Sequence, residues 1–323
     1  MLQQTQVATV ISFYKRFIKQ FPTVKKLAAA DQADVLRAWE GLGYYRRARQ
    51  MHAAAQVIVE EHNGKFPFEF DDVLALPGIG RYTAGAILSI SREEKLPILE
   101  GNTIRLFARL MAMEEDPRTS ANQKLQWAFS ESLLPNKRIG DFNQALMEVG
   151  SLICTVKNPS CDDCPLQSIC PTYVRGLQDK IPVAARKMQY EEINEAVLVV
   201  PRSGKYLVRK CGEDERWAGL WDFPRFQMVE DQHAGHLQSE LKNLSGLETE
   251  LEDTEQKIKH AVTRFKITLD CFIATSVKGR LKKAKTPIQW VTMDEIESLP
   301  MSVTGRKIAR RLGKLKPAQK RLF

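Results

Sequence analysis

Residues 74–88 read LALPGIGRYTAGAIL. Leu74 to Leu76 close an apolar helical segment, and Pro77-Gly78-Ile79-Gly80 makes a tight turn. A second helix then opens near Arg81. Gly78 and Gly80 let the backbone come close to a ligand. The amides at the new helix start point outward with the helix dipole behind them, which suits one phosphate. Such a contact places a protein on nucleic acid without reading its sequence. A turn between two helices can also be mere architecture, so its weight depends on what surrounds it.

Upstream, Val7, Val10, Ile11, Tyr14, Phe17 and Ile18 recur at spacings of three and four, which predicts an amphipathic helix. Ala48, Met51, Ala55, Ile58 and Val59 predict another over 47–60. Downstream, Asn102 is a candidate cap for a helix through Ile104, Leu106 and Leu110, and Thr119 or Ser120 for a further one. The pattern is helical to about Arg175. Residues 176–192 turn polar and read as a linker. Residues 193–315 change grammar: strand-like runs at 196–200, 206–208 and 265–275, with helices near 236–244 and 303–312, predict an α+β domain. Residues 316–323 form a basic tail.

The chain has 323 residues, 43% of them hydrophobic, and a formal charge of +9. That length accommodates two domains with separate cores. The positive balance favours an anionic partner. No apolar run approaches the roughly 18 residues of a spanning helix, so no membrane partner is expected. A cytoplasmic location is the expectation.

The strongest motif is CTVKNPSCDDCPLQSIC, residues 154–170. Cys154, Cys161, Cys164 and Cys170 follow the spacing C-x6-C-x2-C-x5-C. In a reducing compartment, four thiols so close in sequence point to metal rather than disulfides. Zinc sites of this type usually pair two C-x2-C knuckles, and only one is present. Four cysteines equally hold an iron–sulfur cubane, and zinc stays open as the alternative.

Together, LPGIGRYTAGAI, the stretch PILEGNTIR at 97–105 and the cysteine spacing resemble the helix-hairpin-helix DNA glycosylases that carry an iron–sulfur cluster. MLQQTQVATVI at the start and GLGYYRRAR at 41–49 narrow the resemblance to their adenine glycosylase branch, the MutY family. It implies two domains: an all-α helix-hairpin-helix glycosylase domain with an iron–sulfur loop, then an α+β MutT-like (Nudix-fold) domain. It also implies a 4Fe-4S cluster, and a bacterial, nucleoid-associated monomer acting on double-stranded DNA that contains 8-oxoguanine:adenine or guanine:adenine mispairs. Gln3, Gln4 and Thr5 would lie at the probed base step, and Tyr44 would wedge beside the oxidised guanine. Arg47 and Arg49 are candidates for phosphate contact.

Breaking an adenine–sugar bond requires a protonated leaving base and a carboxylate near the developing sugar cation, the logic of paired carboxylates in glycoside hydrolysis. The base must first leave the stack. The resemblance puts the acid on a Glu two residues ahead of the Met-Leu-Gln-Gln motif, before Met1, so a misassigned start is expected. As written, the chain is expected to bind mispairs and release adenine slowly. A non-catalytic mispair-binding protein is the alternative. The second carboxylate is Glu100, where the family has Asp, with Asn102 to orient it. Tyr82 stands where related bifunctional enzymes carry Lys, so no Schiff base or strand cleavage is expected. ERWAGLWDFPRF at 215–226 fits the MutT-like pattern, without the Glu-rich hydrolase box. The base-reading loop is expected at Val262, Thr263 and Arg264, where the family has Phe-Ser-His.

Overall fold

The computed structural model describes residues 1–3, 5–184, 189–228 and 233–314. Gln4 and the basic tail at 316–323 lie outside the described residues. In chain order the helices are α1 (Val7–Gln20), α2 (Val24–Ala28), α3 (Gln32–Trp39), α4 (Tyr45–Glu61), α5 (Phe70–Ala75), α6 (Arg81–Arg92), α7 (Gly101–Leu110), α8 (Ser120–Ser132), α9 (Ile139–Glu148) and α10 (Pro171–Val174). The strands follow: β1 (Glu191–Val199), β2 (Pro201–Arg202), β3 (Lys205–Lys210), β4 (Trp221–Asp222) and β5 (Arg225–Gln227). Then come α11 (His233–Ser245), β6 (Glu248–Val262), β7 (Phe265–Lys278), β8 (Ile288–Val291), α12 (Met293–Ser298) and α13 (Val303–Lys314).

The chain divides into two compact units, Met1–Gln56 with Met188–Phe323, and Val57–Lys187. The first unit therefore joins α1–α3 and the start of α4 to the sheets. Its helical core packs Val10, Phe17, Trp39, Ala48 and Ala55 around Leu220 of the loop before β4. Arg49 seals the same junction by donating to the Ala218 carbonyl at 2.6 Å. The expected stripe on α1 is only one-third buried. Val10 and Phe17 face α3, Phe17 meeting Trp39 edge to face at 5.9 Å, while Val7, Ile11, Tyr14 and Ile18 stay exposed.

One sheet has the order β5-β1-β7-β6, with β1 parallel to β7 and β6 antiparallel to it. β1 reads as an unbroken apolar run at its end because both of its faces are covered. Val197 and Val199 join one core with Leu269 and Ile308, and Ala196 and Leu198 join another with Leu237 and Leu241. β2, β3, β4 and β8 form the second sheet, in which β8 pairs with β3.

His260 on β6 sits beside the Trp217 ring at 6.1 Å, and its ring nitrogens make no close hydrogen bond, the Ile258 backbone being a polar contact. Burial, then the Arg225 charge, pushes its pKa below the usual 6.5; Glu195 opposes and Arg216 assists. The unfolded chain thus binds this proton more readily than the folded one. The contribution to stability is complete above 6.5 and is lost as pH falls towards the folded value. A urea-denaturation series below pH 6.5 should show stability rising with pH, and His260→Gln should flatten that slope.

In the second unit, Val73, Ala84 and Leu88 bring α5 onto α6. Leu99, Leu106, Phe107, Leu146 and Cys154 form a neighbouring core. α6 and α9 approach closely, and Asn143 of α9 donates to Ser89 Oγ at 2.9 Å and to the Leu96 carbonyl at 3.0 Å. Residues 176–184, read as linker, are anchored through Ile181, which is 2% exposed. The far end of that stretch is already strand from Glu191.

Candidate functional site

α5 ends at Ala75, and the chain reverses through Pro77–Gly80 into α6. Gly78 has φ +80°, a left-handed conformation that L side chains rarely adopt, so the turn requires glycine there. Gly80 is the N-cap of α6, with no side-chain cap, and a Cβ built on it would meet nothing within 4 Å. The helix start is therefore uncrowded on the side of Gly80.

Tyr82, in the first turn of α6, donates to Met147 Sδ at 3.3 Å. Burial, then the Glu100 charge, raises the phenol above its usual pKa, which keeps it neutral. Glu100 itself starts α7. Its Oε1 accepts from the Thr103 amide at 3.1 Å, and Thr103 Oγ1 accepts from the Glu100 amide at 2.8 Å, a reciprocal capping box. The expected cap, Asn102, lies instead inside the first turn: the chain enters extended at Glu100, and Gly101 is already helical.

Asn102 has a different task. Its Oδ1 accepts from Arg105 Nη2 at 2.9 Å. Arg105 also donates to the Gly150 carbonyl and, through Nε, to the Cys154 carbonyl at 2.7 Å. Gly150 lies in a π-helical turn, Val149–Ile153, and a Cβ there would sit 2.9 Å from the Asn102 carbonyl oxygen. Such turns recur at functional sites. Arg105 thus ties the carboxylate's helix to the start of the cysteine loop. Sequence reasoning missed it, although its place three residues after Asn102 on a helix was a usable signal.

All four cysteines of the loop line one cavity, with Leu106, Arg109, Leu166 and Tyr173 among its walls. Burial, and then the neighbouring Cys154, raises the Cys161 thiol pKa; Cys164 and Cys170 add to the effect. Clustered thiols of this kind need a bound cation to ionise together. Among the described residues no three His, Cys, Asp or Glu side chains gather as ligands of a single ion. Arg109 Nη1 donates to Cys154 Sγ at 3.1 Å, a cation placed against what would be an anionic group.

Other expected residues fall in the first unit. Tyr44 is exposed, with φ +49°, and Arg47 lies 4.9 Å above its ring. Arg47 donates to the Gln3 carbonyl, to the Met1 carbonyl at 3.2 Å and to Thr5 Oγ1 at 3.2 Å. It therefore organises Gln3, Thr5 and Tyr44 through its two terminal nitrogens, which turns most of the guanidinium inward rather than towards a phosphate. Arg49 commits Nη1 to the Ala218 carbonyl. Thr263 and Arg264 form the two-residue tip between β6 and β7, where Val262 pairs with Phe265. Thr263 has φ +50° and its hydroxyl donates to the Val262 carbonyl at 2.7 Å. Arg264 lies over the Phe265 ring at 5.0 Å and 3.6 Å from Glu191.

Residues 1–130 match the HhH-GPD superfamily of base excision DNA repair proteins. Residues 154–170 match the iron–sulfur binding domain of endonuclease III, and 196–311 match the NUDIX domain. The chain is therefore a two-domain protein of the helix-hairpin-helix repair class, with an iron–sulfur binding domain over the four-cysteine segment. It is 31% identical over 360 residues to the adenine DNA glycosylase of Rattus norvegicus, an alignment that covers 96% of this chain and 69% of that protein. It is also 39% identical over 226 residues to the adenine DNA glycosylase of Buchnera aphidicola subsp. Schizaphis graminum, covering 70% of this chain. The chain belongs to the adenine DNA glycosylase family. Its alignments span 65% and 66% of the length of two Buchnera relatives. Among solved structures, a thermostable thymine-DNA glycosylase matches with 25% identity and a TM-score of 0.49, over 54% of this chain and 80% of that one.

Proposed function

We propose that this protein removes adenine mispaired with 8-oxoguanine or guanine, hydrolysing the N-glycosidic bond of a flipped nucleotide without cutting the strand. The observation that carries the reading is Glu100, held at the N-cap of α7 within electrostatic reach of Tyr82. Its carboxylate opposes the positive charge that develops on the sugar as adenine departs. Asn102, fixed by Arg105, keeps that helix start in place. Tyr82 offers a neutral phenol and no amine, so no covalent imine with the sugar can form.

The remaining residues position the duplex. The Gly78–Gly80 turn takes a backbone phosphate. Tyr44 and the segment around Gln3 and Thr5 probe the base step. Thr263 and Arg264 present a hydroxyl and a guanidinium to the oxidised base. Cys154, Cys161, Cys164 and Cys170 would hold a 4Fe-4S cluster, which cross-links the loop when bound. The protein acts as a monomer in the nucleoid.

The test is free adenine and strand integrity, measured on an 8-oxoguanine:adenine duplex. Adenine should be released slowly by this chain and leave an abasic site in an intact strand. Borohydride trapping of a protein–DNA adduct would overturn the monofunctional mechanism. Mispair-selective binding with no adenine release would favour the non-catalytic reading, and no mispair selectivity would overturn both.

A further inference from the structure

We propose that Arg306, on α13 of the sheet-bearing segment, is a positioning residue for the Tyr44 loop and acts through Glu40. The proposal rests on the reading of Tyr44 as the aromatic that enters the base stack. Glu40 is the C-cap of α3, four residues ahead of Tyr44. Its Oε1 accepts from Arg306 Nε at 2.6 Å. Its Oε2 accepts from Arg306 Nη2 at 3.0 Å, from Arg37 at 3.0 Å and from the Met301 amide at 3.2 Å. The guanidinium is pinned in turn by the carbonyls of Ile296 at 2.9 Å and Leu299 at 2.6 Å. The two side chains are 10% and 9% exposed. This two-pronged, desolvated ion pair is geometrically strict, because the planar fork accepts little deviation.

What it holds is a strained loop. A tyrosine at φ +49° persists only where its surroundings over-determine it. Two ties come from the helices themselves: Trp39 Nε1 donates to the Gly43 carbonyl at 3.0 Å, and the Gly41 amide donates to the Tyr45 hydroxyl at 3.3 Å. Arg47 adds its guanidinium over the Tyr44 ring, and two further ties come from the sheet-bearing segment, through Arg306 before the loop and through Ala218, which receives Arg49 after it. A buried ion pair adds little net stability over an apolar pair of the same shape, and its attested use is to fix one arrangement among several. Here the arrangement fixed is the aromatic probe. Tyr44 and the β6–β7 tip also belong to the same compact unit. The device therefore couples the segment that bears the base-reading tip to the residue that tests the neighbouring step.

The experiment is a double-mutant cycle on the full chain. It reads binding to an 8-oxoguanine:adenine duplex by anisotropy, and stacking by the fluorescence of a 2-aminopurine placed beside the oxidised base. Arg306→Gln should weaken binding about tenfold in the parent and less than about twofold in Tyr44→Ala, because residues acting as a unit are non-additive. The 2-aminopurine signal should fall with it, and Arg306→Lys should recover only part. If Arg306→Gln does not fold, Glu40→Gln replaces it and must show the same non-additivity. Equal losses in both tyrosine backgrounds would mean that Arg306 supports the fold alone, and the proposal would be wrong. If Tyr44→Ala itself binds and stacks as the parent does, the reading of Tyr44 fails, and that outcome is distinct from the additive one.

Discussion

Glu100→Gln should slow single-turnover adenine release from an 8-oxoguanine:adenine duplex roughly 100- to 1,000-fold, the loss typical when one preorganised electrostatic stabiliser is removed. Duplex affinity should stay within about twofold, since no ground-state contact requires the charge. The substitution is nearly isosteric, and the amide oxygen can still accept from the Thr103 amide that Glu100 Oε1 now accepts from. What disappears is the negative charge at the helix start, worth roughly 0.3–1 kcal/mol of stability. That corresponds to a melting shift of at most about 4 °C. A variant that melts like the parent but releases adenine slowly separates chemistry from folding. An unchanged rate would remove Glu100 from the mechanism.

Arg109→Met should be the most damaging change to the second unit. Arg109 is 3% exposed. Its Nε donates to the Ile181 carbonyl at 2.8 Å, its Nη1 to Thr155 at 2.8 Å as well as to Cys154 Sγ, and its Nη2 to Gln178 at 3.1 Å. Its own carbonyl receives the Thr172 hydroxyl at 2.6 Å. Removing the guanidinium strands three inward-facing carbonyls and frees both flanks of the cysteine loop. Breaking a buried charged network of this kind costs about 3–5 kcal/mol, or on the order of 10 °C in melting temperature. The iron-to-protein ratio after anaerobic purification should fall with it. Arg109→Lys should recover the charge but not the fork, and so should lie between. A methionine variant with parental melting and iron content would show that the loop is held by other means.

The parts legible in the sequence were those set by short-range chemistry. The cysteine spacing declared a metal loop because thiols so close in sequence have few other uses. Pro77-Gly78 declared a turn because only glycine is comfortable at its backbone angle. The α1 periodicity gave a helix but not its partner: Val7, Ile11, Tyr14 and Ile18 repeat like core residues yet remain exposed. β6 was missed for the opposite reason. ETELEDTEQKIKHAV looks like a solvated charge run, and an edge strand with one open face and a register shift near Asp253 carries charge without penalty. Asn102 outranked Glu100 as a cap on propensity, but entry of the chain through extended Glu100 decided the matter. The links from Arg47 to Gln3, from Arg105 to Gly150 and from Arg306 to Glu40 span 44, 45 and 266 residues. No local pattern encodes them.

The turn between β6 and β7 has a practical consequence for redesign. Val262 faces Phe265 in the ladder, the Glu191 amide donates to the Arg264 carbonyl at 2.9 Å, and the pairing stays in register back to Lys257 opposite Asp270. Side chains alternate faces along a strand, so one added residue would shift the pairing and turn a whole strand's side chains over. The ladder constrains the length at 263–264, and the backbone constrains 263 further, because Thr263 sits in the left-handed region at φ +50°. The tip is a cassette of fixed size: libraries that vary its two letters, with residues that tolerate a left-handed backbone favoured at 263, keep the scaffold intact without repacking either core.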